Sequence, residues 1–319
     1  MKALVTGGTG FVGSRLARAL ARGGWKIRCL VRESSDTSEL KKLGAELRFG
    51  DLRDKPSLNG IAEEVDVVFH LAAIGDVNAT SKRHLSQYRK VDVEGTRNLL
   101  GECVGRKIRK FVHFSSLAAM GEPKRRGIVS ERDACRPRTP YEIAKRESEL
   151  VVLEFWKRRG VPATILRPSM IYGEGRNDAG NIDASVRLRL VPIIGDGCNL
   201  IHMAHVDDVV DAAVLAAKHG KNGATYIISG ASVTWNGLVD AIASKKHIRI
   251  RKVHVPLGLA SPIVSIEEIV FSSFGLVPAF TAERLRRLKN RYTLDTSRAR
   301  KDLGFFPKRT AHDYMVNVR

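Results

Sequence analysis

Residues 5–13 read VTGGTGFVG, and they constrain the fold more than any other stretch of the chain. A short apolar run, ALVT, ends at Thr6. Gly7, Gly10 and Gly13 follow, and then the amphipathic SRLARAL begins. A strand, a tight glycine turn and a helix in that order have a mechanical use. Gly7 permits the turn, Gly10 lets the backbone approach a pyrophosphate, and Gly13 lets the helix pack closely on the strand. The helix N-terminus then offers N–H groups and a partial positive charge to phosphates. A purely structural glycine turn is the alternative, and the strand-to-helix setting argues against it.

The chain downstream repeats the alternation. Strands are expected at 3–6, 27–31, 45–49, 65–71, 110–115 and 163–167, and helices near 12–22, 36–43, 56–63, 85–104 and 140–159. Short apolar strands alternating with helices imply a doubly wound parallel sheet, covered on both faces, of the α/β class. After about residue 168 the pattern loosens. A helix is expected after His205-Val206-Asp207-Asp208, and ATYIIS (224–229) reads as a late return strand. The expected division is a dinucleotide-binding part at 1–168, with returning segments near 200–229, and a smaller, mostly helical substrate part at 169–319. The 319 residues suit that arrangement.

The formal net charge of +20 points to an anionic cofactor or substrate, a nucleic acid or an acidic membrane surface. Solvated basic faces explain it as well. The basic runs at 124–126, 245–252 and 284–291 are not interleaved with stacking aromatics, so a nucleic-acid partner is disfavoured. Met1-Lys2 leads straight into ALVTGG with no apolar signal region, no run reaches the length of a membrane span, and the four cysteines form no C-x-x-C. Reduced thiols in a cytoplasmic protein are the expectation.

The glycine spacing is Gly-x-x-Gly-x-x-Gly, and here the chain resembles the extended short-chain dehydrogenases/reductases, also called the NAD-dependent epimerase/dehydratase family. Thr6 through Gly13 resembles its TGxxGxxG loop, and Gly50-Asp51-Leu52 the GDL that contacts adenine. His70-Leu71-Ala72-Ala73 resembles its HLAA, and Asp92-Val93-Glu94-Gly95-Thr96 its NvxGT. Arg167-Pro168 through Tyr172-Gly173 resembles RPxxxYG, and residues 205–208 resemble HVDD. The LVR-x-x-SD segment looks most like dihydroflavonol reductases, 3β-hydroxysteroid dehydrogenases and hopanoid-associated epimerase-like proteins. The resemblance implies cofactor contacts at Gly7, Gly10, Phe11, Val12, Gly13, Asp51, Leu52, Leu71, Ala72, Ala73, Pro168 and Ile171.

Residues 139–145 read TPYEIAK. Pro140 suits a first helical turn, and Tyr141 and Lys145, four apart, share one helix face. Spacing alone favours an ordinary helix surface. The resemblance makes the pair the family's catalytic YxxxK, with Tyr141 and Lys145 also on the cofactor. A phenol of ordinary pKa, about 10, exchanges protons poorly at neutral pH, and a nearby ammonium favours its phenolate. Ser116, in FSSLAAMG after the fifth strand, matches the family's catalytic Ser/Thr, with Ser115 as fallback.

Acidic residues after the second strand select NAD by binding the ribose 2′-OH. Here Arg32 follows, and a guanidinium suits a 2′-phosphate, so NADP(H) is expected ahead of NAD(H); the adjacent Glu33 pulls the other way. Where nucleotide-sugar epimerases often carry Asn and Arg, this chain has Met170 and Ile201, which implies a greasier small-molecule substrate. Residues 255–275 allow an amphipathic helix with Ile263, Ile266, Val270 and Phe274 on one face. Core packing is its first reading and a lipid-facing lid, with peripheral membrane contact, its second. HMAHVDD has metal-like spacing, but the acids read better as helix caps, and no metal is expected.

The expected activity is hydride transfer between NADP(H) or NAD(H) and a carbonyl or secondary alcohol. The rivals are a nucleotide-sugar epimerase or dehydratase that retains NAD and a non-catalytic dinucleotide or nucleic-acid binder. A homodimer is compatible with the sequence.

Overall fold

The computed structural model describes residues 1–74, 82–123, 127–175, 189–259 and 291–309, with Val186, Leu285 and Leu288. The chain begins with β1 (Lys2–Thr6), α1 (Phe11–Arg22), β2 (Lys26–Val31), α2 (Ser38–Lys42) and β3 (Glu46–Phe49). A 3₁₀ turn (Lys55–Leu58) leads to β4 (Val67–His70), then α3 (Lys82–Tyr88), a π-helical turn (Arg89–Glu94) and α4 (Gly95–Cys103). β5 (Lys110–Phe114), a 3₁₀ turn (Leu117–Met120), β6 (Gly127–Val129), α5 (Pro140–Arg159) and β7 (Ala163–Pro168) follow. Beyond them lie β8 (Met170–Tyr172), β9 (Leu190–Ile194), β10 (Leu200–His205), β11 (Thr225–Ile228), β12 (Ser232–Thr234), β13 (Arg251–Val255) and β14 (Tyr292–Leu294).

Seven strands make one parallel sheet in the order β11-β7-β5-β4-β1-β2-β3. The order reverses at β1, so the C-terminal ends of β1 and β4 open a crevice there, the usual ligand position in such sheets. β4, β5 and β7 are buried along their whole length because helices cover both faces. One core joins Val5, Leu16 and Leu20 to Phe69, Val209 and Tyr226. The other joins Leu4, Leu58 and Leu99 to Phe111, Val152 and Ile165.

The helix Val206–His219 and β11 are built into the first core. So are Ala299, Leu303 and Phe305, in and beside the helix Ser297–Leu303, which the sequence reading left in the C-terminal part. That part also carries more strand than expected among the described residues. β10 pairs with β8 and β12, and β13 pairs with β9. Such three- to six-residue pieces give no periodicity to read. The proposed amphipathic face of Ile263, Ile266, Val270 and Phe274 lies outside the described residues, as do residues 124–126.

α5 starts where Pro140 suggested and ends at the left-handed Gly160. Its start is fixed by a capping box that the sequence reading missed. The Glu142 N–H donates to Thr139 Oγ1 at 3.3 Å, and the Thr139 N–H donates to the Glu142 carboxylate at 3.2 Å. This fixes the first turn of the helix that carries Tyr141.

Candidate active site

The glycine loop closes as its spacing requires. Gly7 has φ +72°, and a Cβ there would lie 2.8 Å from the Ala72 nitrogen. A Cβ at Gly13 would lie 2.0 Å from the Gly7 carbonyl oxygen, so α1 packs against the loop backbone only because Gly13 has no side chain. No side chain caps α1 at Gly10, and no acid sits in its first turn. That terminus is therefore suited to anions, and the residues present fit a dinucleotide pyrophosphate. Phe11 and Val12 follow at the helix start, with the Arg15 guanidinium 4.6 Å from the Phe11 ring centroid.

Leu71, Ala72 and Ala73 leave β4 beside this loop. The Ala72 N–H donates to Thr6 Oγ1 at 3.1 Å. Thr6 donates to His70 Nδ1 at 2.7 Å, and His70 Nε2 donates to Thr96 Oγ1 at 2.8 Å. Thr96 in turn donates to the Asp92 carbonyl at 2.6 Å. The chain of donors fixes His70 as the neutral Nε2–H tautomer. Burial first, then nearby His113 and Lys145, hold its pKa well below the ordinary value. One rigid line thus joins the glycine loop to the π-helical turn.

Asp92 stands on that turn. It is 2% exposed, and its Oδ2 lies 3.5 Å from the ammonium of Lys145, itself 4% exposed. The sequence reading set Asp92 among the family matches but gave it no role. Burial pulls Lys145 toward the neutral amine, but the Asp92 carboxylate, with Tyr141 and Glu149, reverses this, and the net pKa is raised. Lys145 Nζ lies 5.7 Å from the Tyr141 ring centroid. The half-buried Tyr141 ring meets Tyr88 edge-on at 6.0 Å. Tyr141, Lys145 and Asp92 are therefore together at the C-terminal end of the sheet.

Ser116 follows β5 and caps the Leu117–Met120 turn, which packs on α5. Its Oγ accepts from the Ala118 N–H at 3.2 Å, which leaves its hydrogen available to a substrate oxygen. The fallback, Ser115, is buried and donates to Glu149 at 2.6 Å. Its hydroxyl serves the interior.

After β3, Arg53 takes both Asp51 oxygens, at 3.0 and 2.6 Å, and these bonds hold the Asp51 carboxyl below the usual range. Leu52 is buried beneath Gly95. A cleft of about 540 Å³ lies between Asp51, Arg53 and Asp54 on one side and Lys90 and Glu94 on the other. Arg32 is exposed at the end of β2, close enough for its charge to act on Asp51.

Pro168 closes β7, and Ile171 sits half-buried in β8. Met170 is 43% exposed, and Ile201 packs against an apolar cluster with Tyr172, Met203 and Leu238. The HVDD segment differs from expectation. His205 itself caps the helix Val206–His219, accepting from the Asp207 N–H, and the two acids fall in the first turn. Asp208 accepts instead from Arg309. Among the described residues no group of three or more His, Cys, Asp or Glu is placed to hold a metal ion. None of their helices is long and apolar enough to cross a membrane.

A family model described as the NAD dependent epimerase/dehydratase family matches residues 3–229. The chain is 30% identical to sterol demethylase protein B of Methylococcus capsulatus, over 97% of this chain and 95% of that protein. It is 27% identical to a 4-hydroxy-2-methyl-3-oxo-4-farnesyl-3,4-dihydroquinoline-1-oxide ketoreductase of Stigmatella aurantiaca, over 96% and 92%. Among solved structures it matches a UDP-glucose 4-epimerase of Thermotoga maritima, with TM-score 0.79 and 26% identity over 99% of this chain and 96% of that one.

Proposed function

The chain belongs to the NAD-dependent epimerase/dehydratase family, and from that premise we propose that this NAD(P)-dependent oxidoreductase acts on a carbonyl or secondary alcohol of a fairly apolar skeleton, with Ser116, Tyr141 and Lys145 as catalytic residues. The observation that carries the reading is the Lys145 ammonium, buried beside the Tyr141 ring and near enough for its charge to act on His70, which is bonded to Thr6 at the start of the glycine loop. When bound, a nicotinamide cofactor supplies the hydride acceptor or donor. The chain does the rest. Ser116 donates its hydroxyl hydrogen to the substrate oxygen, Tyr141 moves the proton on that oxygen, and Lys145 supports the charge on Tyr141 and anchors the cofactor ribose. Gly7, Gly10 and Gly13 would hold the pyrophosphate.

Two further features support finer readings. Arg32 favours NADP(H), because its charge-assisted hydrogen bonds would be matched by a 2′-phosphate. Met170 and Ile201 favour an apolar substrate, since neither offers a diphosphate a hydrogen bond, and desolvating that group unpaired costs several kcal/mol. The ketoreductase and sterol demethylase relatives agree with an apolar skeleton. The test is a screen of sterol, flavonoid and 3-ketoacyl ketones against UDP- and dTDP-sugars, read by cofactor absorbance and calorimetry. Turnover of the apolar ketones is expected. Micromolar binding of a UDP-sugar with tightly copurified NAD would instead establish a cofactor-retaining epimerase.

A further inference from the structure

Cys29 and Cys103 are buried, and burial pushes both thiols up, Cys29 to about 12. Cys198 is exposed. Cys135, in the segment before α5, is partly buried and stands apart through its neighbour. Arg167 Nη2 donates to Cys135 Sγ at 3.3 Å. Nε and Nη2 of the same guanidinium serve Glu149 side by side. The Nη2 hydrogen left for sulfur is the one on the edge shared with Nη1, so Nη1 is aimed to the side of the thiol. Arg167 is 2% exposed, and its Nη1 is buried with no hydrogen-bond partner among the described residues. A partly accessible thiol thus faces a buried cation with an N–H to spare. The chemistry of Ser116, Tyr141 and Lys145 uses neither group.

We propose that Cys135 is an oxidation site, which takes one oxygen from hydrogen peroxide or an organic hydroperoxide and holds it, as a sulfenate, against the Arg167 guanidinium. The sulfur attacks a peroxide oxygen, and the S–O bond forms as the O–O bond breaks. Sulfur gives up an electron pair to the peroxide, the thiol proton goes to the departing oxygen, and water or an alcohol leaves. The thiolate is the attacking form, and a cation beside it is the setting in which reactive cysteines occur. The same attraction is visible from the other partner, because the Cys135 thiolate is among the charges that keep Arg167 protonated. The spare Nη1 then meets the added oxygen, an acceptor that the thiol lacks.

The backbone beside Cys135 couples this site to the catalytic turn. The Arg136 N–H donates to the Met120 carbonyl at 2.7 Å, and Cys135 packs on the cluster of Met120, Val129 and Tyr292. Met120 closes the turn that Ser116 caps. Bulk and charge added at Cys135 push on that turn, so oxidation lowers turnover. This consequence alone rests on the reading that Ser116 holds the substrate oxygen.

The test uses Cys198→Ser, in which Cys135 is the one thiol that is not buried. The protein is treated with hydrogen peroxide near neutral pH, the sulfenate is trapped with dimedone, and each cysteine is quantified by peptide mass spectrometry, folded and in urea. Cys135 should be labelled about fivefold faster folded than unfolded, the advantage of a cation at the thiolate, while Cys29 and Cys103 are labelled only in urea. Labelling of Cys135 that is no faster in the folded protein overturns the proposal. Arg167→Lys keeps a cation for Glu149 but removes the guanidinium edge, and it should erase most of the advantage; an undiminished rate there removes Arg167 from the site. If that variant does not fold, the folded-against-urea comparison decides alone. Peroxide should also lower turnover about fivefold, dithiothreitol should restore it, and Cys135→Ser should resist it. An equal loss in Cys135→Ser assigns the sensitivity elsewhere and overturns the coupling. Labelling as expected with turnover unchanged upholds the oxidation site and counts against the role given to Ser116.

Discussion

Arg167 grips Glu149 with two parallel hydrogen bonds of 2.8 Å, from Nε and Nη2 to the two carboxylate oxygens, where the Glu149 side chain is fully buried and that of Arg167 nearly so. Ser115 and Arg146 complete the carboxylate's set of donors. Burial opposes the charge on Glu149, but these partners more than offset it, and its pKa falls below the ordinary value. The pair fastens α5 to β7 one turn beyond Lys145. Glu149→Gln leaves Arg167 buried against a neutral group and should cost about 3–5 kcal/mol, the usual loss on breaking a buried pair. Denaturant unfolding measures it, and a loss under about 1 kcal/mol would show that the pair does not hold the two elements together.

Tyr141→Phe should leave cofactor affinity nearly intact and remove about 10²–10⁴ of the rate, the usual worth of general acid–base catalysis. Lys145→Ala should damage both. Steady-state rates with parallel cofactor titrations separate the two, and near-full turnover by Tyr141→Phe would show that another group moves the proton.

Arg32→Ala should weaken NADPH roughly ten- to hundredfold, the worth of a charge-assisted hydrogen bond, and barely change NADH. Titrating both cofactors into both proteins decides it. An equal loss for both would remove the NADP(H) preference.

Acid should destabilise the protein through its buried histidines. Burial, then Lys145, lowers His113 from 6.5 to about 3, and burial lowers His202 to about 4. Both groups take up protons more readily unfolded than folded. Their stability is therefore fully present above pH 6.5 and is lost as pH falls through 6.5 toward those values, at up to about 1.4 kcal/mol per unit for each. Denaturation midpoints at pH 7.5, 6.5, 5.5 and 4.5 should fall below pH 6.5, and His113→Gln should flatten the decline. An equally steep decline in that variant would assign it to other groups.

What the sequence revealed was whatever is local and periodic. The glycine loop, α5 and the β strands of the large sheet each declare themselves within about twenty residues. The Thr139/Glu142 capping box was equally legible and went unread. Asp92 was harder. Its meaning depends on Lys145, 53 positions away in the chain, and nothing near Asp92 marks it as buried. Glu149 carried no signal of its own, because a helix pattern does not tell a buried acid from an exposed one, and Arg167 was legible only as the first residue of the RPxxxYG match. The His205 cap was taken for the work of its neighbouring acids, since both are common at helix starts.

The strand order also sets a timetable for synthesis. β1 to β7 have all been made by residue 168, and all but β6 can pair within the large sheet at once. β11, which covers the outer edge of β7, is not reached until Thr225. At usual elongation rates roughly 3–11 s separate the two. Through that interval the edge of β7, with Ile165 and Leu166, presents an unpaired apolar template on a ribosome-bound chain. Neighbouring ribosomes on one message carry the same edge, so this is the stage of its life at which the protein most needs a chaperone.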